Sequence, residues 1–280
     1  VAPGNWTGSA NALSNAHVDW EIIDSVSAAC AKPATQSTHR TSEEHRPAPL
    51  LPARRAPVTA ERIIRQRRSA VAMDGQTRIS AEQFFLMLDR LLPRYDRPPF
   101  SALGPPSCVH LALFVHLVDD LDPGLYCLCR SEDRLGDLQG AMDPSFTWEK
   151  PDGCPESLPL FVLKRGDARR VAWRLSCDQQ IAGASAFSLG MLAEFGPRLH
   201  EHGPWFYRRL FWETGMIGQV LYLEAEAAGV RSTGIGCFFD DPVHEMFGLS
   251  DNTFQSLYHF TVGGAVDDAR LTTLPPYPDR

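Results

Sequence analysis

The feature that most constrains the fold of this chain is one long helical segment in its carboxyl-terminal half. Residues 204–229 read PWFYRRLFWETGMIGQVLYLEAEAAG, which predicts a helix of about six turns whose second half is apolar nearly all round. Gly215 and Gly218 lie about one turn apart, where each would weaken an isolated helix by about 1 kcal/mol. Two such glycines favour close approach of another helix or subunit, although a buried core helix accounts equally well for the periodicity.

The amino-terminal part of the chain differs in composition from the rest. Residues 16–31 carry an apolar residue at every fourth position, which predicts an amphipathic helix. These apolar residues are Val18, Ile22, Val26 and Cys30. Residues 33–57 contain five prolines and no glycine, so we interpret them as an extended linker. We therefore predict a helix and linker over residues 1–58 and one folded domain over residues 59–280.

The domain is predicted to begin with helices and to contain a sheet at its centre. Thr59 can cap a first helix that ends at residues 67–69 (Arg-Arg-Ser), and Ser80 begins a second helix that Pro93 ends. Three apolar runs then predict strands. These runs are 108–118, 125–130 and 158–163. After the long helix, a short strand, a helix that opens at residues 240–242 and a final strand complete the domain.

Charge and hydropathy argue against two classes of partner. The net charge of −7 argues against nucleic acid, and no apolar run approaches the roughly 20 residues that a membrane-spanning helix needs. The charge is uneven, because residues 33–68 carry eight arginines against three glutamates, a net +5 that leaves −12 for the remainder. Clustered arginines suggest a local anion site, such as a site for phosphate, although a solvated arm has the same composition.

The seven cysteines lack the C-x-x-C spacing of zinc sites and redox pairs, so no metal site is predicted. Cys127 and Cys129 would share one face of a strand as small apolar side chains. The start of the chain has no secretory signal pattern. We therefore expect reduced thiols and a cytoplasmic location.

The order of these segments resembles the flavin-dependent nitroreductases. The likeness rests on the run GMIGQVLYLEAEAAGVRSTGIGCFFDDPVHEMFGLS, on the later FQSLYHFTVGG and on the Arg-Arg-Ser triplet, which together bracket residues 59–270. The resemblance implies an α+β fold in which helices flank a central, mostly antiparallel sheet. It also implies that the long helix lies at a dimer interface and that the cofactor is FMN.

Within that superfamily the chain is most similar to the SagB-like azoline dehydrogenases, which oxidise thiazolines and oxazolines in peptide biosynthesis. The likeness lies in the pattern Y-R-x-x-x-x-E-x-G-x-I-x-Q. Its residues here are Tyr207, Arg208, Glu213, Gly215, Ile217 and Gln219. Such proteins can occur as tandem repeats, and NALSNAHVDWEIID followed by the proline-rich segment resembles the joint between two repeats. The chain would then be the carboxyl-terminal half of a tandem protein.

The resemblance assigns FMN-binding roles to eight residues. They are Arg67, Arg68, Ser69, Ser107, Gly234, Ile235, Gly236 and Arg270. The arginines and Ser69 would bind the phosphate, because the planar guanidinium donates hydrogen bonds in pairs. The glycine turn would pass beneath the flavin ring, where missing side chains let backbone amides approach. A charged helix end and an ordinary tight turn remain the alternative interpretations of these two segments.

The chain also departs from the family pattern. Val71 replaces a second basic residue of the triplet signature, and Asp268 stands where a basic residue often precedes Arg270. These changes could weaken phosphate binding by about 1–3 kcal/mol. The Lys-Tyr pair that family members use to remove the substrate proton falls on Glu201 and His202. An imidazole beside a carboxylate can act as a general base, although polar residues before a helix are more often solvated.

The sequence therefore predicts an FMN-dependent oxidoreductase of the nitroreductase type that oxidises azoline rings in a peptide or small molecule. One alternative is an NAD(P)H-dependent nitro or quinone reductase, and another is a non-catalytic half of a tandem nitroreductase. The expected partner is a second copy or a sister repeat. We expect FMN to bind this chain only weakly unless such a partner closes the site.

Overall fold

The computed structural model describes residues 4–5, 7–9, 16, 18–34, 51 and 58–274. Most of the proline-rich segment 33–57 lies outside these residues. Nine α-helices and six strands occur in the described ranges. Within those ranges, no helix has the length and apolar character needed to cross a membrane.

The centre of the molecule is one sheet of six strands in the order β3-β2-β1-β4-β6-β5. Every neighbouring pair is antiparallel. The strands are β1 (Val109–Val115), β2 (Gly124–Leu128), β3 (Leu160–Arg165), β4 (Phe187–Glu194), β5 (Arg231–Ile235) and β6 (Phe254–Gly263). The predicted mostly antiparallel sheet is confirmed.

The sheet is covered on both faces. The central strands β1 and β4 are buried along their whole length. Successive side chains of a strand point to opposite faces, and Leu111 and Leu113 of β1 accordingly belong to one hydrophobic cluster while Ala112 and Phe114 belong to another. Burial on both sides explains why this strand is a continuous apolar run without alternation.

Helices lie before, between and after the strands. They are α1 (Glu21–Ala29), α2 (Ala60–Gln66), α3 (Ala81–Asp89), α4 (Leu135–Ala141), α5 (Arg169–Leu175), α6 (Gln180–Gly183), α7 (Gly196–His202), α8 (Phe206–Ala227) and α9 (Asp240–Phe247). The Thr59 hydroxyl accepts a hydrogen bond from the Arg62 amide, and Ser80 forms a capping box with Gln83. Both predicted starts are confirmed, because a hydroxyl that satisfies a free amide stabilises a helix end.

Helix α8 is the predicted long helix, and its buried face packs on the sheet. A Cβ atom at Gly218 would lie 3.3 Å from Phe260 of β6, so the close approach at this glycine is to the chain's own sheet. For Gly218 the structure therefore favours the buried-core alternative over the approach of another helix or subunit. Gly215 faces open space with no atom within 4 Å, and nearby Trp212 is 49% exposed.

Helix α1 forms where an amphipathic helix was predicted, but none of its own residues is buried. Its apolar stripe faces outward among the described residues, since Val18, Ile22 and Val26 are exposed. Only Cys30, just after the helix, is buried, and its thiol lies 3.5 Å from the Pro204 carbonyl.

Candidate functional site

The triplet after α2 lies directly beside β5. Ser69 forms an isolated parallel bridge with Ser232, and the Ala70 amide donates to the Ser232 carbonyl over 3.0 Å. The Thr233 hydroxyl in turn donates to the Ala70 carbonyl. The structure therefore brings residues 67–69 to the strand that leads into the Gly234–Gly236 turn, although the two segments are far apart in the sequence.

One tyrosine of α8 joins these two segments. The Gly234 amide donates to the Tyr222 hydroxyl over 3.0 Å, and the Tyr222 and Ser69 hydroxyls lie 2.8 Å apart. The Arg67 guanidinium carbon lies 4.6 Å from the centre of the Tyr222 ring, in a cation–π contact. Sequence reasoning missed Tyr222, and the only local signal for it is a phenol between two leucines in the second half of the helix.

The two other predicted arginines already have acceptors within the described residues. Arg68 donates to the backbone carbonyls of Arg65, Arg67 and Leu274. Arg270 is 89% exposed and forms an ion pair with Asp268 at 2.7 Å. The hydrogen bond from Arg270 lowers the pKa of Asp268 below its ordinary value, so this carboxylate stays charged beside the arginine. Arg68 therefore stays beside Arg67 and Ser69, whereas the charge of Arg270 is balanced by the charge of Asp268.

The Gly234–Gly236 turn is shaped by a second tyrosine. A Cβ atom at Gly234 would lie 2.6 Å from the Tyr258 hydroxyl, and one at Gly236 would lie 3.5 Å from the same ring. A side chain at position 234 would therefore displace the Tyr258 ring from its present position. Ile235 is buried, whereas Gly236 is exposed. Burial and the neighbouring Tyr222 raise the pKa of Tyr258, so its hydroxyl is protonated at neutral pH.

Ser107 does not join this group in the same chain. It is buried and donates to Glu213 over 2.5 Å, while Arg130 donates to the same carboxylate oxygen over 2.6 Å. Burial alone would raise the pKa of Glu213, but Arg130 and Ser107 hold it below its ordinary value. Glu213 and Tyr222 are nine residues apart on α8, or about 13 Å. Ser107 therefore anchors the loop before β1 to the first half of the helix.

Glu201 and His202 lie still farther from the glycine turn. Glu201 accepts from Arg198 over 3.0 Å, and His202 stacks on Phe206 with ring centres 4.3 Å apart. Phe206 begins α8, so Tyr222 lies about 24 Å along the helix from it. Within one chain this pair cannot act as a general base at the Gly234–Gly236 turn.

Comparisons with known proteins agree with this architecture. The model of the nitroreductase family matches residues 159–264, which include Tyr222 and the glycine turn but neither the 67–69 triplet nor Arg270. A candidate nitroreductase from Anabaena variabilis superposes with a TM-score of 0.55 at 21% identity, over 72% of this chain and 37% of that one. This chain thus spans 37% of the length of the Anabaena protein.

Two further structures are similar over most of their length. A candidate nitroreductase from Ralstonia eutropha has a TM-score of 0.53 at 16% identity, over 78% of this chain and 88% of that one. The E. coli microcin synthetase McbBCD complex, with truncated pro-MccB17 bound, gives 0.53 at 17% identity, over 84% of each chain. The fold is nitroreductase-like. No curated protein matches the chain.

In this nitroreductase-like fold the donors around residues 67–69 fit a phosphate ester. Arg67 and Arg68 are half-buried, and Ser69 is exposed. Two guanidinium groups and a hydroxyl are the donor types that bind phosphate oxygens. The Gly234 amide is occupied by Tyr222, which leaves Gly236 as the exposed glycine of the turn.

A disulfide borders the same turn of the nitroreductase-like domain. Cys177 and Cys237 are bonded, with Cα atoms 5.8 Å apart, and the Gln179 side chain donates to the Cys237 carbonyl over 3.1 Å. The expectation that all thiols are reduced is therefore wrong for this pair, which 60 residues separate in the sequence. Cys127 and Cys129 are free and buried in one hydrophobic cluster, as predicted.

Proposed function

We propose that this chain is the flavin-binding domain of an FMN-dependent oxidoreductase. The convergence of Arg67, Ser69 and Gly234 on one side chain, Tyr222, is the observation that carries the proposal. Phosphate binding falls to Arg67, Arg68 and Ser69, and the isoalloxazine ring would lie over the turn that ends at Gly236. FMN, when bound, supplies reversible two-electron chemistry as a hydride acceptor or donor.

Azoline oxidation in a peptide is the substrate class we favour. The pattern that begins at Tyr207 and Arg208 supports it, as does the fold similarity to McbBCD, whose structure contains a truncated pro-peptide. NAD(P)H-dependent reduction of nitroaromatics or quinones is the rival activity. Anaerobic mixing of the FMN-loaded protein with NADH or NADPH separates the two. We expect slow bleaching of the flavin absorbance, whereas rapid bleaching would favour the rival.

Pairing through α8 is the second part of the proposal. Trp212 and Gly215 form an exposed strip on this helix that the described residues leave uncovered. Glu201 and His202 lie at the amino-terminal end of α8, and the glycine turn lies near its carboxyl-terminal end. Antiparallel pairing with a second copy or a sister repeat would bring the Glu201–His202 pair of one chain toward the turn of the other. The same pairing would bring Ser107 of one chain toward the turn of the other.

A non-catalytic half of a tandem assembly is the alternative from a different class. It is favoured by donors that are already satisfied within the chain, namely the Gly234 amide by Tyr222 and the Arg270 guanidinium by Asp268. Such a domain would retain the fold and the interface without binding the cofactor.

Titration of FMN into the purified chain, followed by flavin fluorescence, tests the proposal. We expect saturable binding that tightens in a dimer or in the tandem assembly. The double variant Arg67→Ala/Arg68→Ala should lose most of the affinity, because it removes both half-buried cations. The matched control is Arg169→Ala/Arg170→Ala at the start of α5, which is outside the candidate site. Absence of binding in every assembly state would favour the non-catalytic alternative.

A further inference from the structure

Three hydrogen-bonding groups form a short chain at the candidate site. The Gly234 amide, the Tyr222 hydroxyl and the Ser69 hydroxyl follow one another at 3.0 and 2.8 Å. We call this chain the Tyr222 relay. It links β5, α8 and the segment after α2, and it ends at a side chain that is exposed to solvent.

The chemistry of the groups determines the direction of the relay. An amide N–H can only donate, so the Tyr222 oxygen accepts from Gly234. The phenol proton is half-buried, and Ser69 Oγ is its only acceptor among the described residues. A half-buried donor without an acceptor costs free energy, and donation to Ser69 avoids that cost. The Ser69 proton, at the exposed end, is then left without an acceptor among the described residues.

A cation packs on the ring of the same tyrosine. The Arg67 guanidinium lies 4.6 Å from the Tyr222 ring centre, and its N–H groups donate to no acceptor within the described ranges. The Tyr222 ring also packs on Phe260 of β6, in a T-shaped contact with ring centres 4.9 Å apart. One tyrosine thus contacts both a hydroxyl donor and a guanidinium whose N–H groups have no acceptor within the described residues.

We propose that Tyr222 is a positioning residue for the phosphate of the flavin nucleotide. Its hydroxyl turns the Ser69 proton outward, and its ring holds the Arg67 guanidinium beside that proton. This role deepens the proposed function and rests on it. The group that the relay recognises is a phosphate monoester, which FMN has and riboflavin lacks.

Binding of FMN and riboflavin to wild-type protein and to Tyr222→Phe tests this role. Phenylalanine keeps the ring beneath Arg67 but removes the hydroxyl, so FMN affinity should fall about five- to tenfold while riboflavin affinity stays unchanged. A merely structural role would weaken both ligands equally. The matched control is Tyr258→Phe, because that ring also contacts the turn while its hydroxyl lies outside the relay. Its preference for FMN should equal that of the wild type.

A double-mutant cycle with Ser69→Ala adds a second readout. If Tyr222 acts through Ser69, Tyr222→Phe should cost little additional FMN affinity in the Ser69→Ala background. Equal loss of FMN and riboflavin binding in Tyr222→Phe, or full additivity in the cycle, would overturn the positioning role of Tyr222. Flavin binding by the wild-type protein would stand in either case. A wild-type protein that binds neither ligand would overturn the proposed function itself, and the positioning role with it.

Discussion

Arg270, one of the predicted phosphate ligands, forms an ion pair with Asp268. The Arg270 guanidinium donates to both carboxylate oxygens of Asp268, at 2.9 and 2.7 Å. An exposed arginine that is already paired contributes less charge to a neighbouring phosphate than a free one does. Asp268 therefore offsets the positive charge that Arg270 would offer to a phosphate.

Asp268→Asn should raise FMN affinity about threefold to tenfold, because it releases Arg270 for the phosphate. Asparagine keeps an oxygen for the Arg270 amide, which now donates to Asp268 over 3.0 Å. Asp251→Asn is the matched control, since Asp251 caps the Thr253 amide in the same way before the start of β6. Fluorescence titration measures both variants. Equal affinities would mean that Arg270 does not reach the phosphate.

Two buried histidines should make stability depend on pH. Burial lowers the pKa of His259 to about 3 and that of His116 to about 4, below the ordinary value of 6.5. The neutral forms therefore stabilise the fold fully above pH 6.5, and this contribution is lost as the pH falls toward the folded-state values. Each histidine should reduce the free energy of unfolding by about 1.4 kcal/mol per pH unit in that window.

His259→Gln should reduce this pH dependence by the share of one histidine, as measured by urea unfolding at pH 7 and pH 5. His259 lies between the Ser176 and Ser256 hydroxyls, and glutamine offers similar polar atoms without a titrating ring. His200→Gln serves as the control, because that side chain is exposed. If the pH dependence of the variant equals that of the wild type, the protonation of His259 does not differ between the folded and the unfolded chain at pH 5.

At the scale of elements, the disulfide connects the α5–α6 corner to the segment after β5. A cross-link that closes about 60 residues stabilises a fold by about 4 kcal/mol, mainly by restricting the unfolded chain. Reduction, or the double variant Cys177→Ser/Cys237→Ser, should lower the free energy of unfolding by that amount. Denaturant melts with and without dithiothreitol measure it. The reductant should have no effect on the double variant, and a response there would implicate the buried thiols instead.

The two glycines of α8 should respond differently to alanine. Gly215 faces open space, so Gly215→Ala should stabilise the unpaired chain by about 1 kcal/mol through helix propensity. Gly218→Ala should lack this gain, because its Cβ atom would press on Phe260 at 3.3 Å. Thermal unfolding compares the two variants directly. The same gain in both would mean that Phe260 moves freely.

At the scale of the whole molecule, apolar surface remains on the side where α1 meets α8. Ile22 and Ile23 are each 62% exposed, and the Arg208 side chain donates to the Ser27 carbonyl over 3.2 Å. This hydrogen bond holds α1 next to the first turn of α8, one turn before Trp212. Apolar side chains grouped in this way are typical of a surface that another protein covers.

Trp212→Glu should convert a paired assembly into single chains, because it places a charge in the centre of the proposed interface. Sedimentation velocity measures the change in mass. Phe239→Glu is the control, since Phe239 is similarly exposed at 46% but lies outside α8. A wild-type chain that sediments as a monomer, alone and with its sister repeat, would contradict pairing through this helix.

Local patterns in the sequence were sufficient to locate most helices and strands. Thr59 and Ser80 cap α2 and α3 because the hydroxyl and the amide of each cap lie three residues apart. The apolar run 108–118 contains β1 because both faces of a central strand are buried. These properties depend on near neighbours and on hydrophobic periodicity, which a sequence shows directly. The nitroreductase-like fold itself followed from the resemblance of the run that begins at Gly215, the final strand and the 67–69 triplet to a known family.

Only the tertiary structure decided which of these residues meet. Ser69 reaches Tyr222 across 153 positions, Ser107 turns to Glu213 across 106, and Cys177 bonds to Cys237 across 60. Each contact depends on the order of strands in the sheet and on the end of α8 at which a segment lies, and no local pattern encodes either. For the same reason the sequence identified the donors of the candidate site, whereas the packing of β5 against α8 determined that Tyr222 connects them.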